Sequence, residues 1–196
     1  MIEVLGRNIA NKMNEITIEE FEKISNIHNN SELDNIEKQI KVFEVVGIEE
    51  DEWDDFKYFV EKTKEFNTDN YEPKDPIGEI EIDGFTYKAE LKLSVKDTKL
   101  IEKMITKENK HSVSDIMALM FKRTDLSNTE HYDSAHLKHK SKLFRTQVAE
   151  IAIPYLNYVT NTISEHAKKQ AAESVESNND WNIYRTKDPI GWRWGF

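Results

Sequence analysis

The sequence contains no cysteine, which excludes disulfide bonds, thiol nucleophiles and thiolate metal sites. Its six glycines stand apart from one another, so neither a GxGxxG turn nor a GxxxxGK[ST] loop can be assembled from them. The Rossmann and P-loop ATPase classes are therefore excluded. No serine lies in a nucleophile-elbow context, so a catalytic triad has no support in the sequence either.

Long apolar runs and an excess of positive charge are also missing. No apolar stretch approaches the ~18 residues that a membrane-spanning helix requires, and the opening MIEVLGRNIANKMNEI has no signal-peptide features. The 37 acidic residues outnumber the 27 basic ones, giving a formal net charge of −10. This charge disfavours DNA or RNA as a partner, because nucleic-acid affinity depends on Lys and Arg. The sequence thus predicts a cytosolic protein that binds neither membranes nor nucleic acids.

Three amphipathic helices are predicted near the N-terminus. The S/T-x-x-E capping box that begins at Thr17 predicts a first helix over about 18–28. The similar spacing from Ser31 to Asp34 predicts the start of a second helix, which ends at Gly47. The third helix is predicted to begin with the acids of EEDEWDDF, where the helix dipole favours negative charge. Its apolar side is formed by Trp53, Phe56, Phe59 and Val60.

A β-hairpin is predicted after the polar connector NTDNYEPKDP, residues 67–76. Beyond this connector the hydrophobic period changes from 3.6 to 2. Asp83 and Gly84 form a two-residue turn signal that prefers positive φ at both positions. The resulting register places Phe85 and Tyr87 on one apolar face, which we expect to pack on the helices.

The remainder of the chain is predicted to be helical. DTKLIEKMIT and SVSDIMALMF are amphipathic, and we interpret their methionines as core residues rather than as a partner groove. A single long helix is predicted from Ser134 to Gln170, kinked where Pro154 removes a backbone N–H. The fold class is therefore mostly α (α+β), with amphipathic helices around one central hairpin. The predicted regions are an N-terminal helical region (1–72), a hairpin plus helical core (77–170) and a flexible tail with an aromatic terminus (171–196).

The segment TEHYDSAHLKHK is rich in side chains that bind metals. His136 and His139 lie one helical turn apart and could face a divalent cation, or they could be solvated on a polar helix. We favour the second interpretation, because the HExxH spacing and a second ligand cluster are absent. The acids of GIEEDEWDDF are likewise interpreted as a solvated helix start rather than a catalytic pair. We therefore predict no metal, no cofactor, no catalytic residue and no enzymatic activity.

Three of the four tryptophans fall in the final stretch WNIYRTKDPIGWRWGF. Residues 171–180 before it contain too little apolar surface to fix this stretch independently. Because Trp, Tyr and Arg are frequent at binding hot spots, we predict that the terminus docks on another protein chain. The alternative is that the rings fold back onto the protein's own core. The predicted partner-binding residues are Trp181, Tyr184, Trp192, Trp194 and Phe196.

The order of several segments resembles that of bacteriophage tail assembly chaperones. These segments are ITIEEFEKI, ELDNIEKQIKVFEVVGIEEDEWDDF, IEIDGFTYKAEL, VSDIMALMF, HYDSAHLKHKSKLFR and VAEIAIPYLNYVTNTI, spanning roughly residues 16–163. The resemblance implies a non-enzymatic protein in the host cytoplasm. Such a protein binds the tape measure protein and keeps it soluble while the tail tube polymerises, and it is usually absent from the finished particle.

Two alternatives to a chaperone stay open. One is a structural subunit of the virion, such as a neck, baseplate or cargo component, and the other is a metal-dependent enzyme that uses the segment from His131 to His139. The partner of the aromatic terminus is then the tape measure protein, another phage structural protein or a second copy of this chain.

Overall fold

Helices and two small antiparallel sheets make up the structure, a computed structural model that describes residues 1–66, 74–92, 94–106, 112–126, 134–165 and 168. The predicted α+β class is confirmed. The chain divides into two units, Met1–Asn157 and Tyr158–Phe196. No helix among the described residues is long and apolar enough to cross a membrane. In chain order the elements are β1 (Ile2–Val4), β2 (Arg7–Ile9), α1 (Ile18–Asn29), α2 (Asn35–Val45), a 3₁₀ turn (Glu50–Glu52), α3 (Phe56–Glu65), β3 (Glu79–Ile82), β4 (Phe85–Ala89), α4 (Val95–Thr106), α5 (Ser112–Met120), β5 (Phe121–Arg123), α6 (Ser134–Arg145), a second 3₁₀ turn (Ala149–Ile151) and α7 (residues 153–165).

An N-terminal β-hairpin is present that the sequence analysis does not predict. β1 and β2 pair antiparallel with Val4 opposite Arg7. Leu5 and Gly6 form the turn with positive φ angles of 49° and 73°. Each strand has three residues, too few for an alternating pattern to stand out in the sequence. Val4 and Ile9 are buried in a core cluster with Phe43, Ile48 and Phe59.

The start of α1 and the end of α2 agree with the predictions. Thr17 Oγ1 accepts a hydrogen bond from the backbone N–H of Glu20 at 3.2 Å, and the Thr17 N–H donates to the Glu20 carboxylate at 2.7 Å. This reciprocal pair is the predicted capping box. Gly47 follows α2 with a φ of 93°, a left-handed conformation in which any other residue would be strained.

The start of α2 differs from the prediction. Asp34 is its N-cap, and Ser31 lies outside the helix. The Asp34 carboxylate accepts from the backbone N–H groups of Ile36 and Glu37 at 2.8 and 2.9 Å. A carboxylate at this position both satisfies free donors and interacts with the positive end of the helix dipole, which explains why the helix begins here.

α3 begins later than predicted, at Phe56. The acids before it form the 3₁₀ turn Glu50–Glu52, so the prediction that they occupy the first turn of this helix is wrong. Asp55 caps α3 by accepting from two backbone N–H groups at 2.8 and 3.3 Å. The predicted apolar side is consequently divided, because Phe59 is buried whereas Phe56 is 62% exposed.

β3 and β4 form the predicted hairpin. Ile82 lies opposite Phe85, and the turn residues Asp83 and Gly84 have φ angles of 52° and 76°. Glycine suits the second turn position because it adopts positive φ without steric cost. β5 pairs antiparallel with β4 and extends the hairpin to a three-stranded sheet, an addition that the sequence analysis does not predict.

Only part of the hairpin's apolar face is buried. Tyr87 is 2% exposed, and its ring meets that of Phe144 on α6 at a centroid distance of 5.8 Å. Phe85 is 43% exposed, so the prediction that this ring packs on the helices is wrong. Phe85 follows the turn directly at the end of the sheet, where the Arg123 guanidinium lies 3.8 Å from its ring centroid.

The predicted long C-terminal helix is interrupted. α6 ends at Arg145, and Val148 forms an antiparallel bridge with Thr17, flanked by backbone hydrogen bonds of 2.7 and 2.9 Å. After the 3₁₀ turn Ala149–Ile151, α-helical geometry begins again at residue 153. Pro154 therefore lies in the first turn of α7, where its missing N–H would have no helical partner. The prediction of one helix kinked at Pro154 is wrong.

Contacts across the predicted connector join its two sides. The Glu22 carboxylate on α1 accepts from the backbone N–H of Ser114 on α5 at 2.7 Å, and both residues are buried. Residues on both sides of 67–76 belong to the unit Met1–Asn157, so the structure does not divide there. The predicted tail, residues 171–196, lies outside the described residues.

The core around α5 and the three-stranded sheet is rich in rings and methionines. Met117 and Met120 are fully buried, which confirms their interpretation as core residues. The rings of Phe121 and Tyr155 meet edge-on at 4.9 Å. The Tyr155 hydroxyl is buried and has no hydrogen-bond partner within the part of the chain that the structure describes. Burial raises the pKa of Tyr155 to about 12.

Replacing Tyr155 with phenylalanine is expected to leave the free energy of unfolding unchanged at pH 7 or to raise it by about 1 kcal/mol, because a buried unpaired hydroxyl is removed. Since the folded-state pKa lies above the ordinary value of 10.0, the unfolded state ionises first as the pH rises. The native protein should therefore lose stability above pH 10, and Tyr155→Phe should lose less. Urea unfolding of the native protein and of Tyr155→Phe, at pH 7 and above pH 10, measures these differences. A clear loss of stability of Tyr155→Phe at pH 7 would contradict the prediction.

Candidate functional site

An apolar groove lies where α2, the 3₁₀ turn and α3 meet, and we call it the Trp53 groove. It encloses about 170 Å³. α2 and α3 each contribute apolar side chains, and the short connection between them contributes a tryptophan and an acid. Its lining residues are Ile40, Glu50, Trp53, Phe56 and Phe59.

Packing against the core holds the Trp53 ring in place. Its centroid lies 5.0 Å from that of Phe43 and 4.9 Å from that of Phe59, with interplanar angles of 71° and 76°. Such edge-to-face contacts are favourable for aromatic rings. Because Phe43 and Phe59 are both buried, the wall that Trp53 forms rests on the rigid part of the N-terminal core.

The indole Nε1 of Trp53 is buried and has no hydrogen-bond partner among the described residues. Buried tryptophan N–H groups usually have one, since leaving such a donor unpaired costs about 1–3 kcal/mol. Unsatisfied buried donors are rare in native proteins, so this group requires a structural explanation. Trp53 thus contributes an aromatic wall to the groove and carries one buried, unsatisfied donor.

Exposed apolar side chains extend the groove outward. Phe56 is 62% exposed, although its ring lies 6.1 Å from that of Phe59. Ile36 is 50% exposed and precedes Ile40 by four residues, so the two lie on the same face of α2. The apolar surface thus continues from the groove along α2.

The connection between α2 and α3 gives the groove an acidic rim. Glu52 pairs with Arg7 of β2 at 2.6 Å, and this hydrogen bond lowers the pKa of Glu52. Asp55 is occupied in capping α3. The exposed carboxylates of Glu50, Asp51 and Asp54 lie in the same segment. The complete acidic set is Glu49, Glu50, Asp51, Glu52, Asp54 and Asp55.

The residues predicted to bind a partner lie elsewhere in the chain. Trp181, Tyr184, Trp192, Trp194 and Phe196 are outside the described residues.

The histidine segment is described only in part. His136 and His139 are both exposed on α6, and the described ranges contain no group of three His, Cys, Asp or Glu that could hold a metal ion.

The Trp53 groove itself is not predicted, because the sequence analysis places Trp53 on the inner side of a helix that begins among the acids. The signal that points to the actual arrangement is the dipeptide Asp55-Phe56. Aspartate is a strong N-cap residue, so the helix can begin after it and leave Trp53 in a loop against the core. With that start, Phe56 belongs to the first turn of α3 and faces solvent.

Comparison of the chain with models of known protein families, with curated proteins and with solved structures gave no match.

Proposed function

We propose that this chain is a non-enzymatic tail assembly chaperone of a bacteriophage. We further propose that its Trp53 groove binds another protein. Its client would be the tape measure protein, which it would bind in the host cytoplasm before the tail is complete. The segment order described above supports the client and the compartment. The groove supports the mode of binding.

The observation that carries the proposal is the presence of exposed apolar side chains beside a tryptophan that is held rigidly against the core. Phe56 and Ile36 expose apolar area that a partner would remove from water, at roughly 25 cal/mol per Å². Tryptophan and other aromatic residues are enriched at binding hot spots, particularly where they rest in a well-packed setting. Trp53 meets this condition through its contacts with Phe43 and Phe59.

The shape and charge of the groove favour one kind of partner segment. A groove between two helices accommodates the apolar stripe of an amphipathic helix. The acidic rim, represented by Glu50, Asp51 and Asp54, would attract Lys or Arg beside that stripe and raise the association rate. A long helical client with apolar stripes would be shielded at such a surface, and the net charge of −10 would keep the complex soluble.

Replacing Phe56 with alanine is expected to weaken client binding by about tenfold, because an exposed anchor ring of the groove is lost. The measurement is calorimetric titration with a soluble fragment of the tape measure protein from the phage that encodes this chain. Co-expression should agree with it, since the variant should leave more of the full-length tape measure protein in the insoluble fraction.

Phe85→Ala is the matched control, because it removes an equally large and partly exposed ring from the three-stranded sheet, outside the groove. It should bind the client as the native chain does, and both variants should melt close to the native temperature. A chain lacking residues 181–196, used in the same titration, tests the prediction for the aromatic terminus. Equal binding by Phe56→Ala and native protein would rule out the groove. Recovery of the protein in purified particles would instead favour a virion subunit.

A further inference from the structure

A second cavity lies between the β3–β4 turn, β5 and α6, and we call it the hairpin cavity. It encloses about 200 Å³. Its lining combines the apolar side chains of Phe85, Tyr87 and Leu143 with the basic side chains of Arg123, His139 and Lys140.

The hairpin cavity is locally cationic in an acidic protein. α6 carries four Lys or Arg residues and no Asp or Glu, whereas the whole chain has a net charge of −10. Arg123 adds a guanidinium from β5 that forms an ion pair with Asp125, and His136 joins His139 on the side of α6. Within the described part of the lining, Asp83 is the single carboxylate. Two cationic side chains, Arg123 and Lys140, thus face one carboxylate among the described lining residues, which favours an anion.

Contacts within the protein hold the two permanent cations in position. Lys140 is 4% exposed, and its Nζ donates to the backbone carbonyl of Phe121 at 2.7 Å. The Arg123 guanidinium donates to both carboxylate oxygens of Asp125 at 2.9 and 2.6 Å and lies over the Phe85 ring. Cations that are fixed before binding lose little conformational entropy when an anion arrives.

We propose that the hairpin cavity binds a carboxylate carried on an apolar group. The carboxylate would lie toward Arg123, His139 and Lys140, and the apolar group would contact Phe85 and Tyr87. The volume suits a group about the size of a single ring. This site is separate from the Trp53 groove and goes beyond the proposed function, so either can fail without the other.

The proposal is tested by titrating the protein with benzoate at pH 7.5 and constant ionic strength. Binding is followed through the NMR signals of the histidine side chains. Benzoate should bind saturably, while benzyl alcohol, which keeps the ring without the charge, and acetate, which keeps the carboxylate without the ring, should both bind more weakly. An acetylated peptide ending in phenylalanine is compared with benzoate. Tighter binding of the peptide would indicate a protein C-terminus as the natural ligand, and tighter binding of benzoate would indicate a free acid.

Two variants alter the lining in opposite ways, one by removing its carboxylate and the other by removing an imidazole. Asp83→Asn should tighten benzoate binding by about two- to fivefold, because the one lining carboxylate is removed while asparagine keeps the positive φ of the turn. His139→Ala should weaken it by a similar factor. Lys138→Ala is the control, since it removes a positive charge from the same helix outside the lining.

The three variants change exposed side chains and should melt close to the native temperature. The proposal is wrong if benzyl alcohol binds as tightly as benzoate, if Asp83→Asn leaves the affinity unchanged, or if Lys138→Ala weakens binding as much as His139→Ala does.

Discussion

Replacing Phe144 with alanine is expected to lower the free energy of unfolding by about 3–5 kcal/mol, the usual cost of removing a buried phenylalanine ring. Phe144 on α6 is fully buried. Its ring lies 5.3 Å from that of Phe121 and 5.8 Å from that of Tyr87, so it connects α6 to both β5 and β4. The strands are held by backbone pairing and cannot easily collapse into the space that the ring leaves. Urea unfolding followed by circular dichroism measures the loss.

Phe85→Ala provides the comparison for this measurement. The same side-chain atoms are removed, but from β4 instead of α6, and Phe85 is 43% exposed and follows the hairpin turn. Its loss should cost less than about 1.5 kcal/mol, because much of the ring is already in contact with water. If the two variants were destabilised equally, the assignment of Phe144 to the core and of Phe85 to the exposed end of the hairpin would be incorrect.

Elements specified by neighbouring residues could be predicted from the sequence. The capping box at Thr17 involves residues three apart, and the β3–β4 turn involves Asp83 and Gly84 themselves. Their hydrogen bonds and φ angles follow from local stereochemistry, so the surrounding fold changes them little. The hairpin register follows from the turn for the same reason.

Elements that depend on distant residues could not be predicted. The apolar positions of α6 and α7 continue in a helical pattern, which favours one long helix over the whole region. The chain is extended at Val148 because its backbone pairs with Thr17, a residue in the opposite part of the sequence. Tertiary hydrogen bonds at that point replace helical ones, and no local signal reports them.

The Trp53 groove lies between these two cases. Composition identifies Trp53 and Phe56 as large apolar residues beside acids, but the periodicity analysis places both inside a helix. Because α3 starts at the Asp55 cap, Trp53 lies half-buried in the preceding loop and Phe56 is exposed in the first turn of the helix. A shift of a few residues in one helix boundary thus separates a core position from a surface one, and boundaries are the least certain part of a sequence-based prediction.

Glu22 connects the N-terminal helices to the rest of the unit Met1–Asn157. Its side chain is 3% exposed, and the carboxylate accepts from the N–H of Ser114, the third residue of α5. A helix start has free N–H groups and a partial positive charge, so a carboxylate from α1 here serves as a cap from a neighbouring element. The Ser114 hydroxyl lies 3.1 Å from that of Ser141 on α6, which joins three helices in one polar network.

Glu22→Ala is expected to lower the free energy of unfolding by about 2–3 kcal/mol, because a buried N–H loses a charged acceptor and water cannot replace it. Glu22→Gln retains an acceptor oxygen and should lose about 1 kcal/mol. Glu19→Ala on the same helix removes an exposed carboxylate that pairs with Lys23, and it should stay within about 0.5 kcal/mol. Urea unfolding should show the largest loss of stability for Glu22→Ala, a smaller loss for Glu22→Gln and the smallest for Glu19→Ala. Equal losses for Glu22→Ala and Glu19→Ala would mean that the carboxylate does not cap α5.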